Sequence, residues 1–232
     1  MPFYYGFDMT YIVFVLPALL FALWAQIKVK STFYKYSRVP SDRGMTGYDA
    51  AVMVLSKNGV NGVRVVKVSG ELTDHYDPRE NIIRLSDAVY DKATVAAVGV
   101  AAHEAGHAVQ YATGYFPIKI RSAIIPMTNI GSTLAFPLVI LGILFSYPPI
   151  SYIGAILFGV TVVFQLVTLP VEFNASRRAL ASLKNSGEVS ESGTAGAAKV
   201  LRAAALTYVA ALATALGNFL RLLTIAKRSD RR

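Results

Sequence analysis

The sequence predicts an α+β protein, predominantly helical and integral to a membrane, with three spans and one small polar domain. Three observations predict this. Apolar residues make up 54% of the 232 and charged residues 16%, against about 45–50% and about 25% in soluble domains. Charge is missing altogether from residues 9–27 and from residues 122–171. Between and after those stretches lie polar segments with caps, turns and β-branched runs, enough for one domain beside a few spans. The chain has no Cys, which excludes disulfides and thiolate metal sites.

Residues 9–27 come first. At about 1.5 Å per residue, 19 residues nearly cross a hydrocarbon core of roughly 30 Å. The residues ahead of them include Asp8 and no Lys or Arg, while Lys28, Lys30 and Lys35 follow. That asymmetry predicts an uncleaved anchor, not a signal peptide, with Lys28 onward in the cytoplasm. Residues 28–121 form the polar domain. Thr46 can cap a helix with Asp49 three residues on, and Asn58-Gly59 can end it. Residues 63–68 read as a strand. Residues 72–76 and 82–85 flank Asp77-Pro78-Arg79-Glu80-Asn81, which is turn chemistry, so a hairpin is expected. Ser86 is a candidate cap, and residues 93–112 read as helix with Gly114 just past its end.

Residues 122–171 are broken in the middle by Pro148-Pro149, so they predict a hairpin of two spans. Tyr147, Tyr152 and Trp24 stand where interfacial aromatics do. The last segment is residues 172–232. Residues 172–184 read as helix closed by Asn185-Ser186-Gly187. Residues 188–196 read as a flexible loop. Thr194 is a candidate cap for a helix running to about residue 226. The charge-free stretch 203–220 is Ala-rich, and Arg221 follows it. If it spanned, the basic tail would lie outside, against the positive-inside bias. It is therefore read as packed on the polar domain or lying at the interface.

The net charge of +9 is compatible with nucleic acid or with an anionic membrane face. No basic segment interleaves with aromatics on a polar stretch, so a nucleic-acid partner is not expected. Basic residues number 13 in 28–121, none in 122–171 and 5 in 172–205. Both polar segments thus lie on one side, as a two-span connection requires.

Chemistry concentrates in Ala102-His103-Glu104-Ala105-Gly106-His107-Ala108. This is H-E-x-x-H inside the expected 93–112 helix. Four residues advance a helix by about 400°, so His103 and His107 share a face one turn apart. Glu104 is turned about 100° away, where it can face an ion's water without ligating it. Such a pair fits Zn2+ with Glu104 as the base that takes the water's proton. Two histidines hydrogen-bonded in an apolar core are the bland alternative.

A catalytic zinc needs a third protein ligand. No His follows His107, and the later acidic residues are Glu172, Glu188, Glu191 and Asp230. Glu172 is the well-placed one, at the end of the third span and on the predicted side of His103. Its alternative role is an interfacial carboxylate paired with Arg177 or Arg178. Three other residues are weaker candidates. Ser176 lies one turn past Glu172 and can hydrogen-bond near it. His75, in the hairpin, is either an oxyanion donor or a solvated loop histidine. Tyr208 is either a donor to the tetrahedral intermediate or a packing aromatic.

His103–His107 together with Pro170-Val171-Glu172-Phe173-Asn174-Ala175-Ser176-Arg177-Arg178 resembles the gluzincin membrane proteases of the HtpX and CAAX-prenyl-protease type. In those, a Glu in a similar segment is the third ligand. Ser176 stands where they carry an Asp that supports a ligating His. A closer resemblance, over nearly the whole chain, is to the YugP-like neutral zinc metallopeptidases of bacterial membranes. The resemblance implies a zincin-like domain, zinc on His103, His107 and Glu172, and Glu104 as general base.

The expected protein is a multi-pass plasma-membrane zinc endopeptidase with a cytoplasmic site. Its partners are the lipid bilayer and protein or peptide substrates in or near the membrane. The alternatives are a zinc-stabilised membrane scaffold or chaperone-like protein without turnover, and a transport path with an accidental motif. The charge-free spans count against the last.

Overall fold

The computed structural model describes residues 9–70 and 73–230. Asp8 and Leu72 lie outside them. The chain is mostly helical with one three-stranded sheet. A π-helical turn, Tyr11–Val15, leads into α1, Leu16–Tyr36. Pro17 follows that turn, and its missing N–H breaks the regular ladder there. Then come α2, Gly47–Lys57; β1, Arg64–Val68; β2, His75–Asp77; β3, Ile82–Ser86; and α3, Val95–Ala112. The last three elements are α4, Phe116–Leu144; α5, Pro148–Ser186; and α6, Glu191–Ser229.

The chain divides into two compact units. One comprises residues 26–119 and 170–206. The described residues of the other fall within 1–25, 120–169 and 207–232. In the first, β3 is central, parallel to β1 and antiparallel to the edge strand β2, with Tyr76 opposite Ile83. Its core gathers Val54 and Leu55 of α2, Ile83 and Leu85 of β3, Ala101, Ala105 and Val109 of α3, and Ala179 and Leu183 of α5. Thr46 and Asp49 close a reciprocal capping box on α2, and Gly59 takes a positive φ of 65° just past its end, as the Asn58-Gly59 pair predicts.

The second unit is built from apolar helix segments. Ala135 and Val139 of α4, Ala155 and Phe158 of α5 and Leu222 of α6 form its cluster. α4 ends at Leu144 and α5 starts at Pro148, where proline suits the first turn because its N–H would be unpaired anyway.

Several expectations are corrected. Among the described residues four helices are, by length and composition, long and apolar enough to cross a membrane, where three spans are expected from the sequence. The addition is α6. Residues 207–229 of it belong to the apolar unit, and Leu222 is buried in that unit's cluster. Residues 172–184 are not a separate helix. Pro170 lies inside the continuous α5, because a proline removes only one ladder bond from a helix that other contacts hold.

Ser86 does not cap α3. Its amide and hydroxyl donate to the Asp74 carboxylate, and Thr94 caps instead, accepting the Ala97 N–H. Thr194 lies inside α6, which starts earlier because the Ser190 hydroxyl accepts the Gly193 N–H at 3.0 Å. Ser190 is itself clamped by the Asp42 carboxylate through both its amide and its hydroxyl. Residues 191–196 are therefore helix, not flexible loop.

Candidate metal centre

α3 carries the H-E-x-x-H run through the core of the polar unit, and Thr94 fixes its start. Gly106 lets α5 approach: a Cβ there would sit 2.6 Å from the Ala175 carbonyl oxygen. The backbone contact brings α3 and the Glu172 turn together. The His103 and His107 rings lie 4.7 Å apart, nearly perpendicular. Glu172, 3% exposed, places Oε2 3.3 Å from His103 Nε2 and 3.5 Å from His107 Nε2.

These three residues form a group whose ligand atoms all lie within 4.8 Å of one another. The spacing fits a zinc ion. Two donors about 2.0–2.1 Å from an ion, at the tetrahedral angle, are about 3.3 Å apart. The donor set, two imidazoles and a carboxylate, is one that zinc takes when a position is left open for water or substrate.

Second bonds orient both imidazoles. Ser176 Oγ lies 3.2 Å from His103 Nδ1. His107 Nδ1 lies 3.0 Å from Gln110 Oε1. A chain of donors settles the direction of the latter bond. Arg178 Nε donates to Asn174 Oδ1 at 2.8 Å, so that atom is an acceptor. Gln110 Nε2 donates to the same oxygen at 3.0 Å and to the Val171 carbonyl at 2.8 Å. Gln110 therefore presents its oxygen to His107, whose Nδ1 carries the proton, and the Nε2 lone pair faces Glu172. This is the tautomer a metal needs. Burial disfavours the charged His107 imidazolium. The Glu172 carboxylate, with Glu104 near by, outweighs burial and raises His107 above the ordinary histidine range. The surroundings favour positive charge at Nε2, whether proton or metal.

Glu104 is half-buried beside the pair. Its Oε2 accepts the backbone N–H of Tyr76 at 3.1 Å, which ties the edge strand β2 to α3. The Tyr76 hydroxyl donates to Asn81 Oδ1, and its ring packs against Tyr111. Burial pushes the Tyr76 phenol up. It also pushes the Asp74 carboxyl up, against the two Ser86 bonds and with some help from Glu104.

The structure brings together His103, Glu104, His107, Glu172 and Ser176. It does not bring His75 to them. That ring is exposed and lies 2.8 Å from the Thr73 carbonyl, and its strand neighbour Tyr76 reaches Glu104 instead. Tyr208 is half-buried in α6 and falls in the other unit. Arg178 donates to Asn174 and lies over the Tyr115 ring. Gln110, fully buried, is the residue the sequence reading missed. Its signal was its place three residues past His107, on the same helix face.

Two imidazoles of a helix that carries H-E-x-x-H and a carboxylate of α5, in a chain with four long apolar helices among the described residues, are a group that could hold a metal ion in a membrane-associated protein. The comparisons agree. Residues 11–227 match the family described as "Putative neutral zinc metallopeptidase", and the chain belongs to that family. Zinc is the cofactor the family name gives, and His103, His107 and Glu172 are the residues here that could hold it. The "Putative membrane protease YugP" of Bacillus subtilis (strain 168) is 44% identical over 217 residues, covering 94% of this chain and 96% of that protein. No solved structure gives a significant match.

Proposed function

We propose that the protein is a multi-pass membrane zinc endopeptidase of the gluzincin type, acting on proteins or peptides in or near the bilayer. The carrying observation is the convergence of two α3 imidazoles on one α5 carboxylate oxygen, 3.3 and 3.5 Å from it, with all three ligand atoms within 4.8 Å of one another. His103, His107 and Glu172 are the ligands. Zinc bound there supplies a Lewis acid that polarises a peptide carbonyl and acidifies water. Glu104 takes the proton of the attacking water and returns it to the leaving nitrogen. Tyr76 holds the Glu104 carboxylate through its amide, and Ser176 and Gln110 hold the imidazoles. The site faces the cytoplasm, a reading supported by the basic residues of 28–121 and 172–205 against none in 122–171.

The test is metal content and turnover measured together on detergent-purified protein. About one zinc per chain is expected in the native protein, with little left in Glu172→Ala. Glu104→Gln keeps its zinc and loses peptide hydrolysis. Hydrolysis at the native rate in Glu104→Gln refutes the mechanism. Zinc with no hydrolysis of any membrane substrate in either protein returns the chain to the scaffold alternative.

A further inference from the structure

A second feature of the polar unit has no part in the zinc group. α1 and α6 together line a cavity of about 370 Å3. From α1 come Lys28, Thr32, Lys35 and Tyr36, and from α6 come Lys199, Arg202, Ala203 and Leu206. The spacings are those of one helix face: 28, 32, 35 and 36 on one side, 199, 202, 203 and 206 on the other. Four cations therefore share one cavity.

Among the described residues nothing of opposite sign pairs with them. α1 contains no Asp or Glu, and α6 contains none after Glu191 at its first residue. Among the described residues no carboxylate pairs with Lys28, Lys35, Lys199 or Arg202, although Lys67 and Arg84 of the same unit do find carboxylates. Lys35 Nζ lies 5.9 Å from the Tyr36 ring centroid, a contact that leaves its charge uncompensated. Like charges gathered on two helices repel. An arrangement of this kind is stable when an anion joins it.

The sequence flanking the cavity says which anion. The charge-free stretch of α1 ends at Ile27, directly before Lys28, and the charge-free stretch 203–220 of α6 begins directly after Arg202. Both helices thus carry their cations where their apolar segments stop. Ala203 and Leu206 give the cavity an apolar edge, and the Thr32 hydroxyl adds a neutral donor. A ligand with a phosphate at one end and acyl chains at the other matches that order of groups. We infer that the Lys28–Lys35 and Lys199–Arg202 cavity binds the phosphate headgroup of an anionic phospholipid. The site is separate from the zinc group and does not depend on the proposed peptidase activity.

The experiment uses the full chain in nanodiscs of equal phosphatidylcholine and phosphatidylglycerol, with retained lipid counted by native mass spectrometry. The native protein is expected to retain phosphatidylglycerol preferentially. Lys199→Gln/Arg202→Gln loses that preference, by about fivefold for each cation removed. The pair Lys57→Gln/Lys184→Gln, equal in charge and elsewhere in the same unit, keeps it. Unchanged zinc content identifies a folded variant. If the neutral pair loses zinc as well, Lys28→Gln/Lys35→Gln and the charge-preserving Lys199→Arg/Arg202→Lys decide, the first losing the preference and the second keeping it. No preference in the native protein overturns the inference, as does an equal loss in the control pair. Saturable binding of inorganic phosphate that leaves the lipid count unchanged overturns the lipid assignment and gives the cavity to a soluble phosphate compound.

Discussion

The two ends of α5 pack by one device and use it for opposite ends. In residues 148–169 small residues bring backbones together: a Cβ on Gly154 would sit 2.6 Å from the Ala135 carbonyl oxygen of α4. Nothing charged lies in that half. In residues 170–186 the same closeness recurs at Ala175 against Gly106 of α3. There it serves Glu172, Asn174, Ser176 and Arg178, whose polar atoms meet partners on α3 or on α5 itself. Close approach driven by van der Waals contact suffices for apolar helices. Adding buried polar groups to the same seam demands that each be satisfied, and the result is an oriented site.

The largest effect that can break this comparison is a branched side chain in each seam. Gly106→Val forces α3 away from Ala175, and overpacking of this kind costs about 1–3 kcal/mol. The displacement separates His103 and His107 from Glu172, so zinc content falls to near zero. Gly154→Val puts the same volume into the apolar seam, lowers the melting temperature comparably, and leaves about one zinc per chain bound. Zinc lost equally from both would mean that the two halves of α5 are not distinct in the way their chemistry suggests.

A smaller effect sharpens the polar half alone. Gln110→Leu keeps the volume but leaves His107 Nδ1 and the Val171 carbonyl without their partner, and Ser176→Ala does the same for His103 Nδ1. Loss of such an outer hydrogen bond typically costs about 10–100-fold in metal affinity. Titration against a zinc chelator measures it. Gln110→Leu is expected to cost more, because Gln110 is fully buried and its amide joins three groups. Gln110→Glu, which still accepts from Nδ1, recovers part of the loss. Equal affinities for Gln110→Leu and the native protein would remove the orienting role.

Most of this site was legible in the sequence for geometric reasons. The four-residue spacing of His103 and His107 survives any detail of packing, and Glu172 was singled out by position among few acidic residues. Ser176 was found by its helical offset from Glu172. Gln110 was not, because an amide three residues past a histidine has meaning only once Asn174 and Arg178 arrive from α5, 64 and 68 residues away. In the fold, the Thr46 box and the β2–β3 hairpin were readable from local turn and cap chemistry. The start of α6 was not. It is set by Asp42 holding Ser190 across 148 residues, a contact no local pattern announces. Its apolar length was discounted because positive-inside bias weighed against a span, yet half of α6 packs in the apolar unit.

Acid provides the finest distinction between the two regions. Residues 122–171 contain no group that titrates below neutral pH, so mild acid leaves that region's helices alone. The β2–β3 hairpin does titrate. The Arg79 amide and the Arg84 guanidinium bind the Asp77 carboxylate and hold it below the usual carboxylate range. A carboxylate with a lowered folded pKa contributes stability that is complete above its unfolded value, about 3.9, and is lost as pH falls through the folded one. Because Asp77 lies near the surface, the effect is small and screened by salt. Hydrogen exchange followed downward from pH 6 should therefore show the amides of residues 75–86 losing protection below about pH 4, before those of α4. In Asp77→Asn those amides start less protected at pH 6, and the difference from the native protein closes as the pH falls. Since Tyr76 donates to Glu104 from the same strand, an early loss there would also loosen Glu104, the proposed base. A difference that widened with acid, or α4 opening first, would place the weak point in the apolar half and reverse the comparison.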